Sequence, residues 1–207
     1  AIQNRPARGH EYLSADWFDY DEGRRVSPYQ YPDYDLRAPD TDGRRLWKML
    51  ALFQAAYPGA PMVYYGTEMG MWGGDDPDDR MPAWWPELQF APMTRHPNGG
   101  ELTPPQSVGF DQDIFDSYRT AMRLRQAHES LRVGSYRTLL ADNAANVFAF
   151  ERVTSAERVI AVFNRSAREW RVELPDRPSL TLLAASVTDA STLRIPPLSG
   201  AVFHVQP

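Results

Sequence analysis

The chain has 207 residues, 43% of them hydrophobic, which is enough to bury a substantial core in one domain or two. A net charge of -5 and a pI near 5.4 leave no basic stripe to neutralise phosphates, so nucleic acid is not an expected partner. There is no cysteine, the four histidines are scattered, and no apolar run approaches the roughly 18 residues of a membrane span, so a disulfide framework, a thiolate metal site and a membrane partner are not expected.

Residues 1 to 40 mix Asp, Arg and Pro with Trp17, Phe18, Tyr20, Tyr29, Tyr31 and Tyr34, without sustained periodicity. The segment reads as a long irregular loop with one short helix near Tyr12 to Phe18. Thr41 is placed to cap a helix whose apolar residues Leu46, Leu50, Phe53 and Tyr57 recur at spacings of three and four until Pro58-Gly59 ends it. That face should pack on a sheet.

Met62, Val63, Tyr64 and Tyr65 form a short run rich in β-formers between Pro61 and Gly66, as expected of a strand buried on both faces. From Gly66 to Trp85 follow glycines, prolines, aspartates, an arginine and three tryptophans, a composition suited to a long loop that presents side chains. Strand, decorated loop, then helix is the order of a βα unit in a parallel barrel, where function sits on the loops after the strands. Pro92 to Pro105 is proline-rich and polar. Asp111 or Asp113 should open a second helix, with Ile114, Tyr118, Ala121 and Met122 on one side and Gly134 closing it.

From Ser135 the period changes to two. Tyr136 to Leu140, Asn146 to Arg152, Arg158 to Asn164, Trp170 to Leu174, Leu180 to Ala184, Leu193 to Ile195 and Ala201 to Val205 read as short strands separated by turn signals, which predicts an antiparallel sandwich. The expected domains are therefore residues 1–134, barrel-like, and residues 135–207, a β-sandwich. A lone parallel strand cannot satisfy its own backbone, so the chain reads as the C-terminal fragment of a larger protein.

The segment Pro-Met-Val-Tyr-Tyr-Gly-Thr-Glu-Met-Gly-Met, followed by Gly-Gly-Asp-Asp-Pro-Asp-Asp-Arg and then Trp-Pro, resembles the eighth barrel strand and its loop in the α-amylase family of glycoside hydrolases. Within that family it is most similar to the cyclomaltodextrinase, neopullulanase and maltogenic amylase group. One departure is that Ala83-Trp84 stand where the group usually has Met-Val. The resemblance implies the C-terminal portion of a (β/α)8 TIM barrel followed by an antiparallel β-sandwich, in a parent acting on α-glucans such as starch, maltooligosaccharides, cyclodextrins or pullulan. It also places the family's three carboxylates at the ends of the fourth, fifth and seventh strands, all ahead of Ala1. No catalytic residue is therefore assigned, and the fragment alone is expected to be inert, since glycoside hydrolysis needs two carboxyl groups flanking one bond.

Asp76 and Arg80 are the expected substrate contacts. Four residues apart on a glycine-rich loop, a carboxylate and a guanidinium can form a fork that accepts from and donates to vicinal sugar hydroxyls. In the group that this sequence resembles, the matching Asp-Pro-x-x-Arg residues contact sugar; the bland reading is a salt bridge that pins the loop. Trp72, just beyond the strand, offers a flat face for a pyranose ring, against the commoner fate of core packing; Trp84 and Trp85 are weaker candidates. Glu68 reads as a buried anion paired with arginine. Asp75, Asp76, Asp78 and Asp79 invite a calcium reading, but the EF-hand glycine and terminal glutamate are missing, so no cofactor is expected of this chain, with calcium left open for the parent. Rival readings are a transferase of the same family, such as a trehalose synthase, a carbohydrate-binding module, and a purely structural domain.

Overall fold

The computed structural model describes residues 38–73, 80–95, 101–173, 179–187 and 194–206. The expected short helix near Tyr12 lies outside the described residues. Helix α1, Thr41–Ala56, begins one residue after its cap: Asp40 accepts from the Gly43 amide through Oδ1 at 2.8 Å, and its carbonyl accepts from the Arg44 amide. Asp40 therefore caps in place of the expected Thr41, because the carboxylate reaches the third amide of the first turn. The apolar stripe is also wider than expected. Leu46, Trp47, Met49, Ala51, Leu52, Ala55 and Ala56 are buried, whereas Leu50 and Phe53 are half-buried and Tyr57 is exposed. A helix apolar most of the way round is one that packs on more than one side.

Met62 to Tyr65 form no strand. The segment has no regular secondary structure up to Tyr64 and then turns, and Met62, Tyr64 and Tyr65 are 84%, 52% and 44% exposed. A strand exists only through a neighbour's backbone, and no described strand pairs with this run. In the proline-rich stretch, by contrast, β1 (Met93–Arg95) and β2 (Glu101–Gln106) make an antiparallel ribbon that composition did not announce.

Of the two acids offered for the second helix, Asp111 is the cap: Oδ1 accepts from the Ile114 amide at 3.1 Å, and its carbonyl accepts from the Phe115 amide. Helix α2, Gln112–Ala127, buries Ile114, Tyr118, Ala121 and Leu124. It ends before Gly134. His128 is extended at φ -108 and ψ 113, and a short helix α3, Glu129–Val133, starts after it. Glu157 explains the break: one carboxylate oxygen lies 2.9 Å from His128 Nδ1, and the other accepts from the Ser130 amide at 2.7 Å.

All seven expected strands appear: β3 (Ser135–Asp142), β4 (Val147–Val153), β5 (Arg158–Asn164), β6 (Trp170–Arg171), β7 (Leu180–Ala185), β8 (Arg194–Ile195) and β9 (Ser199–Val205). Five form an antiparallel sheet in the order β3-β4-β5-β9-β7, and β6 pairs with β8. Register puts Ala149, Ile160, Val162, Ala201 and Phe203 on one face, where they form a core with Val172, Ile195 and the half-buried Trp170. On the opposite face Phe148, Phe150 and Phe163 meet Phe53 of α1, while Tyr57 meets Phe150 and Tyr136. Burial on both faces explains why β5 reads Val-Ile-Ala-Val-Phe without alternation.

The chain divides into two compact units, one holding residues up to Arg44 and Val63–Phe115, the other Arg45–Met62 and Asp116–Pro207. No described helix is long and apolar enough to cross a membrane.

Candidate functional site

The first unit carries the decorated loop. Its base is a 3-10 turn, Thr67–Met69, closed at Gly70, whose φ of 80° is left-handed. Glycine is required there twice over: L side chains rarely adopt this φ, and a Cβ would stand 2.4 Å from the Asp111 Cβ. The turn is fastened by Met69 and Met71 amides donating to the Gly66 carbonyl, both at 3.0 Å.

Asp111 ties this turn to the helices. Its amide donates to the Met69 carbonyl at 2.9 Å, its Oδ1 caps α2, and its Oδ2 accepts a charged hydrogen bond from Arg44 Nη1. Burial raises the pKa of this carboxyl, but the hydrogen bonds from Arg44 and the Ile114 amide outweigh it and hold the group below the ordinary carboxylate range. Asp111 is thus ionised at neutral pH and works as a fixed anion. Sequence reasoning saw only a helix cap in Asp111 and missed Arg44, because nothing local relates two residues 67 positions apart.

The expected contacts fare unequally. Asp76, with Asp75, Asp78 and Asp79, lies outside the described residues. Arg80 is exposed. The next carbonyl, of Met81, accepts from the Tyr65 hydroxyl at 2.9 Å. Trp72 is only 8% exposed, its ring 5.8 Å from that of Trp84 at 79°, and Trp84 in turn neighbours Phe90. Burial leaves Trp72 little free face for a sugar and makes it packing for the loop; the exposed indole of the three is Trp85, at 52%. Glu68 lacks the arginine expected of it: its Oε2 is buried with no hydrogen-bond partner among the described residues.

No group of three or more metal-ligating side chains occurs among the described residues. In the second unit an open pocket of about 320 Å³ lies between α1 and the sheet, lined by Met49, Leu50, Phe53, Phe148 and Phe163, with Asp142 on its rim. Asp142 is its single carboxylate and already accepts from the Ala145 amide. The pocket therefore lacks the pair of acids that glycosidic chemistry needs.

No protein-family model matches the chain. The chain is 35% identical over 129 residues to a cyclomaltodextrinase of a Bacillus species, covering 62% of this chain and 19% of that protein. It is 34% identical over 128 residues to neopullulanase 2 of Thermoactinomyces vulgaris, covering 62% and 18%. Among solved structures, a debranching enzyme from Nostoc punctiforme superposes with a TM-score of 0.57 at 25% identity, over 80% of this chain and 31% of that one. The resemblance carried by the loop motif is thus borne out toward the cyclomaltodextrinase and neopullulanase group, and the chain spans about a fifth of the length of these curated relatives.

Proposed function

We infer that the chain supplies the sugar-binding loop and the C-terminal β-sandwich of a retaining glycoside hydrolase acting on α-glucans. The single observation behind this reading is the similarity to cyclomaltodextrinase over most of the chain. In the parent, the segment from Met62 to Tyr65 would become the last strand of a (β/α)8 barrel, with neighbours to complete its ladder. Arg80, with Asp76, would hold hydroxyls of a bound glucose unit through charge-assisted hydrogen bonds. The nucleophile and the acid/base belong to carboxylates outside these residues, so the chain contributes binding and orientation and performs no hydrolysis by itself.

Two measurements test the reading. A pure preparation should release no reducing sugar from maltotetraose, pullulan or a cyclodextrin, yet bind maltotetraose. Each charged hydrogen bond is worth about 1.5–3 kcal/mol, so Arg80→Ala should weaken binding about tenfold or more. Turnover above buffer would overturn the placement of the chemistry elsewhere, and equal binding by the Arg80→Ala variant would overturn the role of the loop.

A further inference from the structure

We propose that Tyr65 is a positioning residue for Arg80, holding the outer limb of the loop so that the guanidinium meets a sugar in one orientation. The inference rests on the reading of Arg80 as a sugar ligand. The Tyr65 hydroxyl donates to the Met81 carbonyl at 2.9 Å, a bond that spans 16 residues and ends on the residue next to Arg80. Both ends of that bond are prepared. On the Tyr65 side, the chain is turned by the Thr67 amide donating to the Tyr64 carbonyl at 3.1 Å, and the Tyr65 ring lies 5.0 Å from that of Tyr64. On the Met81 side, Pro82 follows and restricts Met81 to extended backbone, so its carbonyl has a set direction. The Met71 amide, bonded to Gly66, fixes the inner limb of the loop. The tyrosine hydroxyl fixes the outer one.

The bond also has the energetics of a positioning contact rather than of a core contact. Tyr65 is 44% exposed, and the bond it makes is exposed, so water can replace the hydroxyl on the Met81 carbonyl when the phenol is removed. Deleting it should leave the fold intact. What is lost is the pre-set direction of Arg80, and a planar, bidentate donor depends on direction more than a point charge does.

The test is a double-mutant cycle on the full chain, with maltotetraose binding followed by calorimetric titration for the unsubstituted protein, Tyr65→Phe, Arg80→Ala and the double variant. Tyr65→Phe should weaken binding about threefold to tenfold at unchanged melting temperature, and should have no further effect once Arg80 is gone. Wild-type affinity in Tyr65→Phe alongside weakened Arg80→Ala would overturn the inference and leave the sugar-binding reading standing. Effects that multiply in the double variant would overturn it as well, since Tyr65 would then act independently of Arg80. Wild-type affinity in Arg80→Ala, or no binding by the unsubstituted chain, would overturn both.

Discussion

Arg125 and Arg152 converge on the C-terminal end of the same helix. Arg125 donates to the carbonyls of Ala55, Tyr57 and Gly59, at 2.8, 3.2 and 2.6 Å, while Arg152 donates to that of Ala56 at 3.0 Å. Two cations close together are repulsive, and burial followed by this repulsion lowers the pKa of the Arg152 guanidinium. They are held there by the unpaired carbonyls and negative dipole end of α1, which accept from and attract both. The sequence shows a helix ended by Pro58-Gly59 and gives no sign that its last carbonyls are closed from 70 and 96 residues away.

Arg152 is 2% exposed and also donates to the Leu131 and Gly134 carbonyls, both at 2.9 Å, so one side chain gathers the ends of α1 and α3. Arg152→Ala would leave these buried acceptors unpaired. A loss of about 2–4 kcal/mol is expected, since each hydrogen bond to a charged group contributes about 1.5–3 kcal/mol and the losses within one network are not additive. Thermal unfolding of Arg152→Ala beside Arg125→Ala checks it. The larger fall belongs to Arg152, because the bonds of Arg125 lie nearer solvent.

Glu151 answers to pH. It is 5% exposed and accepts from Arg137 Nε at 2.5 Å and Arg158 Nε at 2.6 Å. Burial raises the pKa of its carboxyl, but the two arginines outweigh burial and hold it below the ordinary value. A folded pKa below the unfolded value of about 4.3 means that the contribution is complete above that value and is lost as pH falls through the lower, folded one. The side chain of Arg137 is 65% exposed and that of Arg158 29%, so solvent screens the first bridge more and the second carries more of the effect. Melting temperature should therefore fall on acidification below about pH 4.3, and Glu151→Gln should flatten that part of the profile while lowering stability at neutral pH. An unchanged acid limb in Glu151→Gln would show that the bridge does not set it.

How much of this could be read from the residues depends on the range of the interaction. The strands from β3 to β9 and the Asp111 cap follow from period and turn chemistry, which act over a few neighbours, and they lie within a residue or two of their expected places apart from β6, which ends at Arg171. The run at Met62 to Tyr65 has the composition of a strand, but strand formation is a property of pairs, and no pairing partner is described. The β1–β2 ribbon failed the other way: its prolines read as loop, yet a two-strand edge tolerates residues without an amide hydrogen. Within the candidate site, the loop and Arg80 as its expected contact are read from motif and composition. The Tyr65 bond to Met81 and the Arg44 bond to Asp111 are not, because each joins residues whose approach is decided by the folded backbone.

Gly70 offers the sharpest test of how rigid the loop base is. Replacement by alanine places a Cβ in a left-handed backbone, a strain of about 1–3 kcal/mol, and drives it to within 2.4 Å of the Asp111 Cβ. That neighbour is not the free end of a flexible side chain: Asp111 is held through its amide to Met69, through Oδ1 to Ile114 and through Oδ2 to Arg44. Relief of the clash must therefore break at least one of the bonds that join the turn, the α2 cap and the first turn of α1. Gly59 supplies the control, since it too has positive φ, 99°, but a Cβ there meets nothing within 4 Å. Gly59→Ala should show backbone strain alone, about 1 kcal/mol, whereas Gly70→Ala should lose about 2–4 kcal/mol in all, with faster amide exchange at Met69, Asp111 and Ile114. Unfolding and exchange measured on both variants decide the matter: equal losses would mean that Asp111 yields freely and does not anchor the loop.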